Sequence, residues 1–246
     1  MKFAALRRVC LGTVCLFGLL ASPLVLAQEA AIKKAFAERF PDFPKIDEVT
    51  KTPVPGLYEV RVGNTIFYSD EQGNYLIEGV MVDTKTRTNL TEARLDKLNA
   101  VDISTLPMKD AIVVKQGNGS RKLVVFADPN CGYCKKFERD LLQAKDVTVY
   151  TFLYPILGND STDKSRNIWC AKDSAKSWRA WMVDGVAPAK SGPDCDASVL
   201  QRNTELGRKH RINGTPALFF EDGKRIPGVM PLDALEKQLA LSRQKG

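Results

Sequence analysis

Histidine is nearly absent from the sequence, with His210 the single one among 246 residues. That scarcity excludes His-rich metal sites and disfavours a hydrolase built on a Cys-His-Asn constellation. Glycine (17) and proline (13) are too few for a collagen-like or low-complexity chain. The 36 basic and 29 acidic residues are spread along the chain, with no basic stripe of interleaved aromatic residues that would favour nucleic-acid binding.

The first 27 residues have the pattern of a secretory signal peptide. Lys2, Arg7 and Arg8 form a basic start, and the apolar run Val9–Leu20 is short for a membrane span. A cleavage site of the small-residue type ends at Ala27. An uncleaved anchor is the alternative, which the polar residues that follow disfavour. We therefore predict export to an oxidising space, where disulfides persist.

Residues 28–88 predict a small α+β domain. Ile32, Phe36 and Phe40 form one apolar stripe over residues 29–40, which is typical of an amphipathic helix. Antiparallel strands are predicted to follow over residues 57–62, 65–68 and 75–82. Because so small a unit buries little surface, we expect it to pair with a second copy of itself.

Residues 89–107 predict a linker helix, and residues 108–246 predict an α/β domain. The linker has a narrow apolar seam and ends at Pro107. Beyond it, strands are predicted over 111–115, 121–127, 147–154, 217–220 and 225–229, and helices after 130 and over 161–184, 196–211 and 231–242. This order predicts a sheet covered by helices, with a helical piece inserted between strands.

Cys131-Gly132-Tyr133-Cys134 directly follows a buried-type strand and opens a helix. A sulfur at a helix N-terminus faces free backbone N–H groups and the positive end of the helix dipole, and both favour the nucleophilic thiolate. One helical turn brings the second sulfur within bonding distance, so the pair can exchange with a foreign disulfide. We expect Cys131 to be the attacking sulfur at an exposed helix start, and Cys134 to be buried.

Three other interpretations of this pair are weighed. A zinc site lacks a second paired knuckle, and His210 is its single histidine candidate. A purely structural disulfide across so short a loop constrains the unfolded chain little. The third interpretation is a chance spacing. Export and the strand-to-helix context favour redox chemistry over all three.

Cys170 and Cys195 flank the predicted helical insert. We interpret them as a structural disulfide, which for a loop of about 25 residues contributes on the order of 3 kcal/mol in the chain-entropy model. A second redox pair is the alternative, disfavoured because no activating helix start is visible at either cysteine.

Gly214-Thr215-Pro216 precedes a predicted strand. A cis proline here would leave the backbone of Thr215 unpaired, free to bind an extended substrate beside the sulfurs. A trans proline at a strand start is equally compatible with the sequence.

The chain resembles the thioredoxin-fold dithiol oxidoreductases in two segments, Phe126–Cys134 and Gly214–Ala217. Over the whole mature chain the resemblance is to their DsbC branch of bacterial periplasmic disulfide isomerases, and it includes Tyr68-Ser69-Asp70 and Gly73-Asn74-Tyr75. Gly132 differs from the sister DsbG branch, which has Pro at that position. Thr215 differs from the oxidant branch, which usually has Val before its proline.

The resemblance implies a thioredoxin-like C-terminal domain with a helical insert, joined by a linker helix to an N-terminal dimerisation domain. By matching positions, Cys131 is the nucleophile and Cys134 the resolving thiol, Thr215 and Pro216 form a cis-proline element, and Cys170–Cys195 is the structural disulfide. We add Gly132 and Tyr133 to the substrate-binding residues. No metal or cofactor is expected.

The implied function is isomerisation of wrong disulfides in misfolded exported proteins by a homodimer that also has chaperone activity. A membrane protein of the DsbD type would keep the dithiol reduced. Three alternatives remain open: a DsbG-like reductase of sulfenylated cysteines, a holdase whose cysteines are secondary, and a monomeric dithiol oxidant.

Overall fold

The computed structural model describes residues 23–243. Most of the predicted signal peptide, including Cys10 and Cys15, lies outside the described residues. The chain divides after Met81 into two compact units. In the described part, no helix combines the length and the apolar character needed to cross a membrane.

The first unit is a helix beside a small antiparallel sheet. Its elements are α1 (Pro23–Arg39), β1 (Glu48–Lys51), β2 (Leu57–Val62), β3 (Thr65–Asp70) and β4 (Ile77–Glu78), with sheet order β1-β2-β3-β4. The helix starts before the predicted residue 29, so the predicted cleavage site after Ala27 lies within it. Its core consists of Ile32, Phe36, Ile46, Val49, Tyr58 and Val60.

The predicted third strand over residues 75–82 is wrong. The structure has the two-residue β4 there, paired to β3 through Phe67–Glu78 and Tyr68–Ile77, and Val82 begins a separate strand. The Asp70 carboxylate accepts the N–H groups of Asn74 and Tyr75 at 2.6 and 3.0 Å. These donors are therefore engaged in a turn and cannot extend the ladder.

The second unit is a five-stranded sheet covered by helices, of order β11-β10-β8-β9-β7. Its elements are β5 (Val82–Asp83), β6 (Thr88–Asn89), α2 (Leu90–Leu98), β7 (Ile112–Lys115), β8 (Arg121–Ala127), α3 (Gly132–Leu141), β9 (Val147–Leu153), α4 (Asn159–Trp169), α5 (Ser174–Asp184), α6 (Ser198–Lys209), β10 (Ala217–Phe220), β11 (Arg225–Pro227) and α7 (Leu232–Arg243). Strands β8 and β9 are parallel, and the other pairs of this sheet are antiparallel.

Strand β8 is buried on both faces. Leu123, Val125 and Ala127 belong to one hydrophobic cluster, which also contains Cys131 and Cys134. Val124 and Phe126 belong to a second cluster on the other face. Because successive side chains of a strand alternate between faces, this apolar run serves two cores at once. The dithiol therefore follows closely on a strand whose last five residues, Leu123–Ala127, are buried.

The predicted linker helix is shorter than expected. Helix α2 ends at Leu98 rather than near 106, and its C-cap residue Asn99 donates both its backbone N–H and its side-chain amide to the carbonyl of Leu95. The Val101 N–H then donates to the Gly223 carbonyl at 3.0 Å. Residues after the helix are thus bonded to the second unit. The boundaries predicted for the domains remain a prediction.

Candidate active site

Cys131 lies at the point where β8 has ended and α3 begins. Its N–H donates to the Asp128 carbonyl at 3.1 Å, closing a turn over Pro129 and Asn130. It is the N-cap residue of α3, and its Sγ accepts the N–H of Cys134 at 3.3 Å. An N-cap acceptor is stabilised as an anion by these N–H groups and by the helix dipole. Cys131 Sγ therefore occupies the acceptor position at the start of the helix.

The prediction that Cys131 is exposed is wrong: the residue is only 7% exposed. Its thiol points at the carbonyl of Thr215, with 3.2 Å between Sγ and O. The loop before β10 thus covers the sulfur. Gly132 and Tyr133 beside it are exposed, Tyr133 to 68%. The exposed surface directly beside the sulfur is therefore that of Gly132 and Tyr133.

Cys134 is sealed inside, with 1% exposure. Burial raises the pKa of the Cys134 thiol far above its ordinary value, and the neighbouring Cys131 raises it further. Cys131 and Cys134 are both free thiols in the structure. The Cys134 sulfur is therefore held as a thiol.

The Thr215–Pro216 peptide bond is cis, the state that the sequence left open. Pro216 is buried and Thr215 is half-buried. Strand β10 starts at the next residue, where Ala217 pairs with Phe126 of β8. This antiparallel pairing brings Thr215 beside Cys131, although 84 residues separate them along the chain.

Asp128 is a site residue that the sequence analysis did not single out. Its buried carboxylate accepts four hydrogen bonds, from Asn130 N–H (2.8 Å) and Ser161 Oγ (2.7 Å) on Oδ1, and from Ile156 N–H (2.8 Å) and Leu157 N–H (2.9 Å) on Oδ2. It connects the turn before Cys131 to the loop after β9. The Asp-Pro-Asn order could have signalled the local bond to Asn130, because Asp often accepts an N–H two residues on.

Cys170 and Cys195 are joined by a disulfide, with their Cα atoms 5.9 Å apart. Cys170 is the residue after α4, and Cys195 lies before α6, so the bond closes a loop that contains α5. The helical region predicted over 161–184 consists of α4 and α5, separated near Asp173, whose side chain caps α5 by accepting the Lys176 N–H.

Within residues 23–243, no group of three or more Cys, His, Asp or Glu side chains is arranged to hold a metal ion. The carboxylate of Asp128, which lies near the dithiol, is instead occupied as a hydrogen-bond acceptor. What the arrangement can do is thiol–disulfide exchange: one sulfur at a helix start accepts a backbone N–H, a second is held as a thiol one turn on, and an exposed pair of residues lies between them.

Comparison with known proteins gives two family matches. A model described as a thioredoxin-like domain matches residues 108–242. A model described as a disulfide bond isomerase protein N-terminal domain matches residues 23–92. These matches confirm the predicted fold class, a thioredoxin-like domain preceded by a smaller α+β domain.

Individual proteins agree with these matches. The chain is 46% identical over 212 residues to a probable thiol:disulfide interchange protein DsbC of Bordetella parapertussis, covering 86% of this chain and 74% of the relative. It is 31% identical over 226 residues to the thiol:disulfide interchange protein DsbC of Escherichia coli strain K12, covering 88% and 90%. A solved disulfide interchange protein from Neisseria gonorrhoeae is 36% identical and covers 57% of this chain and 98% of its own, with a TM-score of 0.51.

Proposed function

Because the chain belongs to the DsbC family and is a thiol–disulfide oxidoreductase, we propose that it is a periplasmic isomerase that rearranges wrong disulfides in exported proteins. The observation that carries the proposal is the position of Cys131 Sγ, which lies at the start of α3 between the Cys134 N–H and the Thr215 carbonyl. That sulfur is stabilised as a nucleophile beside a backbone edge on which a substrate strand can lie.

The reaction begins when the Cys131 thiolate attacks one sulfur of a substrate disulfide. The substrate S–S bond breaks, a mixed disulfide with Cys131 forms, and the second substrate sulfur leaves as a thiolate. That thiolate attacks another disulfide of the substrate, and the thiolate released there displaces Cys131. Each step breaks one S–S bond and forms another, with no net transfer of electrons, so Cys131 is released as the thiolate that began the reaction.

Cys134 provides the escape from a stalled mixed disulfide. Its thiol loses a proton and attacks Cys131 Sγ, so the substrate leaves with both of its sulfurs reduced and the enzyme pair becomes a disulfide. The raised pKa of Cys134 makes this step slow, because only the thiolate attacks. The mixed disulfide then persists long enough for the substrate to rearrange. A reductant, which we propose to be a membrane protein of the DsbD type, must return two electrons after each escape.

Substrate binding is proposed at the exposed rim of the dithiol. Gly132 and Tyr133 present surface next to the sulfur, and the Thr215–Pro216 element supplies backbone for an extended segment. The Cys170–Cys195 disulfide is proposed to stabilise the helical insert rather than to exchange, contributing on the order of 3 kcal/mol.

We further propose that residues 1–27 are a signal peptide, residues 28–88 a dimerisation domain, residues 89–107 a linker and residues 108–246 the catalytic domain. Apolar side chains exposed in the first unit, among them Tyr75, Ile77 and Val80, support pairing with a second copy. Chaperone activity belongs to the same proposal, since holding a misfolded chain lengthens its time near the dithiol.

Refolding of a protein with scrambled disulfides tests the function. We expect Cys131→Ser to lose the recovery of native protein entirely, because no nucleophile remains. Cys134→Ser should retain part of it and accumulate mixed disulfides, since escape is blocked. Yields are measured by the activity of the refolded substrate and trapped species by mass spectrometry. Recovery by Cys131→Ser equal to the wild type would refute the isomerase. If the variant with both Cys131→Ser and Cys134→Ser still suppresses aggregation, the chaperone activity belongs to the protein surface and not to the dithiol.

A further inference from the structure

The indole of Trp181 lies against the turn that leads into Cys131. Trp181 belongs to α5 and is half-buried, and its Nε1–H donates to the Pro129 carbonyl at 2.6 Å. Pro129 stands two residues before the nucleophile. One side chain of the helical insert is therefore bonded to the backbone that sets the position of the sulfur.

Two ammonium groups lie over this indole ring. The Nζ atoms of Lys135 and Lys164 are 3.8 and 5.0 Å from its centroid, within the range of about 6 Å for cation–π attraction. Asp160 pairs with Lys164 and also accepts a hydrogen bond from the Asn130 side chain at 2.6 Å. The charge of Lys164 is thereby offset, whereas in residues 23–243 no carboxylate forms an ion pair with Lys135.

Lys135 is the basic residue of this cluster that follows Cys134 directly in α3. Its backbone N–H donates to the Cys131 carbonyl at 3.0 Å, and helical side chains point toward the N-terminus of their helix. The contact with an indole bonded to Pro129 locates its ammonium at that end. Burial lowers the pKa of Lys135, and the nearby Lys164 and Arg139 lower it further, as expected for a cation packed among other cations.

Lys136, the next residue, has a different environment. It is exposed, and its ammonium pairs with Asp140 of the same helix at 2.7 Å. Its charge is neutralised one turn toward the helix C-terminus. The two adjacent lysines therefore form a matched pair in which only Lys135 contacts Trp181.

We propose that Trp181 is a positioning residue of the dithiol, which holds the Lys135 ammonium at the N-terminal end of α3, where its charge stabilises the Cys131 thiolate. The inference rests on the proposed role of Cys131 as nucleophile. Stabilising the thiolate stabilises the reduced pair. In exchange with glutathione disulfide, the Cys131–Cys134 dithiol gives up two electrons and two protons, its own S–S bond forms, and two glutathione thiols are released. The Lys135 charge shifts this equilibrium toward the reduced enzyme.

The test compares Lys135→Met, Trp181→Phe and the control Lys136→Met with the wild type. Each is equilibrated with reduced and oxidised glutathione, and the alkylation rate of Cys131 by iodoacetamide is measured at neutral pH. We expect Lys135→Met to lower both the alkylation rate and the reduced fraction at fixed glutathione ratio, by about two- to fivefold, as for one cation near a helix end. Trp181→Phe keeps an aromatic face but loses the bond to Pro129, so a smaller shift in the same direction is expected.

Equal values for Lys135→Met and Lys136→Met would overturn the role of the charge. A shift in Lys135→Met with none in Trp181→Phe would overturn the role of the indole. Urea unfolding of each variant shows whether Trp181→Phe is folded, and if it is not, Trp181→Tyr takes its place. Refolding of a scrambled protein by the wild type is measured separately and tests the isomerase proposal. If that proposal fails, the comparison of Lys135→Met with Lys136→Met still decides whether the Lys135 charge acts on Cys131.

Discussion

At the residue scale, Glu138 is the ionisable group of the α3–α5 contact whose environment predicts a pH dependence. It lies one helical turn after Cys134, and its Oε1 accepts the Nε1–H of the buried Trp178 at 2.8 Å. Burial raises the pKa of Glu138 from its ordinary 4.5 to about 7. The folded state therefore binds this proton more tightly than the unfolded chain does.

The sign of the effect follows from linkage. Stability due to the protonated Glu138 is fully present below pH 4.5 and is lost as the pH rises through about 7, the pKa of Glu138 in the fold. We expect the contribution of Glu138 to the free energy of unfolding to fall between pH 5 and pH 8. Glu138→Gln, which stays neutral and can still accept the indole N–H, should lose this slope. Urea unfolding at several pH values measures it.

Glu236→Gln is the control with the opposite sign. The hydrogen bond from Arg121, whose Nη1 is 2.7 Å from Glu236 Oε2, lowers the pKa of Glu236. Its contribution is present above its unfolded pKa and is lost only as the pH falls below that value. Glu236→Gln should therefore destabilise by a similar amount across pH 5 to 8. A slope that persists unchanged in Glu138→Gln would contradict the assignment.

At the element scale, Asp128 connects the β8–α3 turn to the loop between β9 and α4. Asp128→Ala leaves the N–H groups of Ile156 and Leu157 without their acceptor. Losing charge-assisted, buried hydrogen bonds costs about 2–4 kcal/mol, so we expect a clear drop in urea midpoint together with slower alkylation of Cys131. Asp140→Ala, which removes a half-buried carboxylate of α3 that pairs with Lys136, is the control and should change either value little. No loss of stability in Asp128→Ala would refute the connecting role.

The start of α3 was predictable because its signals are local. A buried strand, an Asp-Pro-Asn turn and a Cys-Gly-Tyr-Cys helix start are adjacent in the chain, and the structure places α3 from Gly132. The burial of Cys131 was not predictable, because the Thr215 carbonyl that covers it comes from 84 residues away. The same holds for Trp181, whose acceptor Pro129 lies 52 residues earlier.

Helix ends show the same division. The N-cap of α2 at Asn89, which accepts the Glu92 N–H, has a local signal, although Thr91 is a second residue of a capping type at the start of this helix. Its end at Leu98 does not follow from the sequence, because residues beyond it are recruited by tertiary contacts: Val101 donates to Gly223, and Ile103 and Leu106 are buried in a hydrophobic cluster of the second unit. The apolar seam over residues 89–107 is thus compatible with one long helix or with a short helix followed by residues packed on the second unit, and only tertiary packing decides between them.

At the scale of the whole molecule, the first unit has a surface that a monomer would leave uncovered. Strand β4 is at the sheet edge, and around it Tyr75 and Val80 are 69% and 68% exposed. Unpaired edge strands with apolar neighbours promote association. This surface is the physical basis for the proposed homodimer, which separates an isomerase from a monomeric dithiol oxidant.

Light scattering after gel filtration of the mature chain is expected to give twice the monomer mass. Ile77→Asp and Val80→Asp should yield monomers, because a buried unpaired carboxylate disfavours an apolar interface. Val54→Asp, at another exposed apolar position of the first unit, is the control and should stay dimeric.

The monomeric variants should still exchange with a small disulfide at the wild-type rate, since Cys131 is in the second unit. They should recover less of a scrambled protein, because isomerisation requires the substrate to be held through several exchanges. A monomeric wild type would contradict the proposal, and a monomeric variant with full refolding activity would show that isomerisation needs only the dithiol unit.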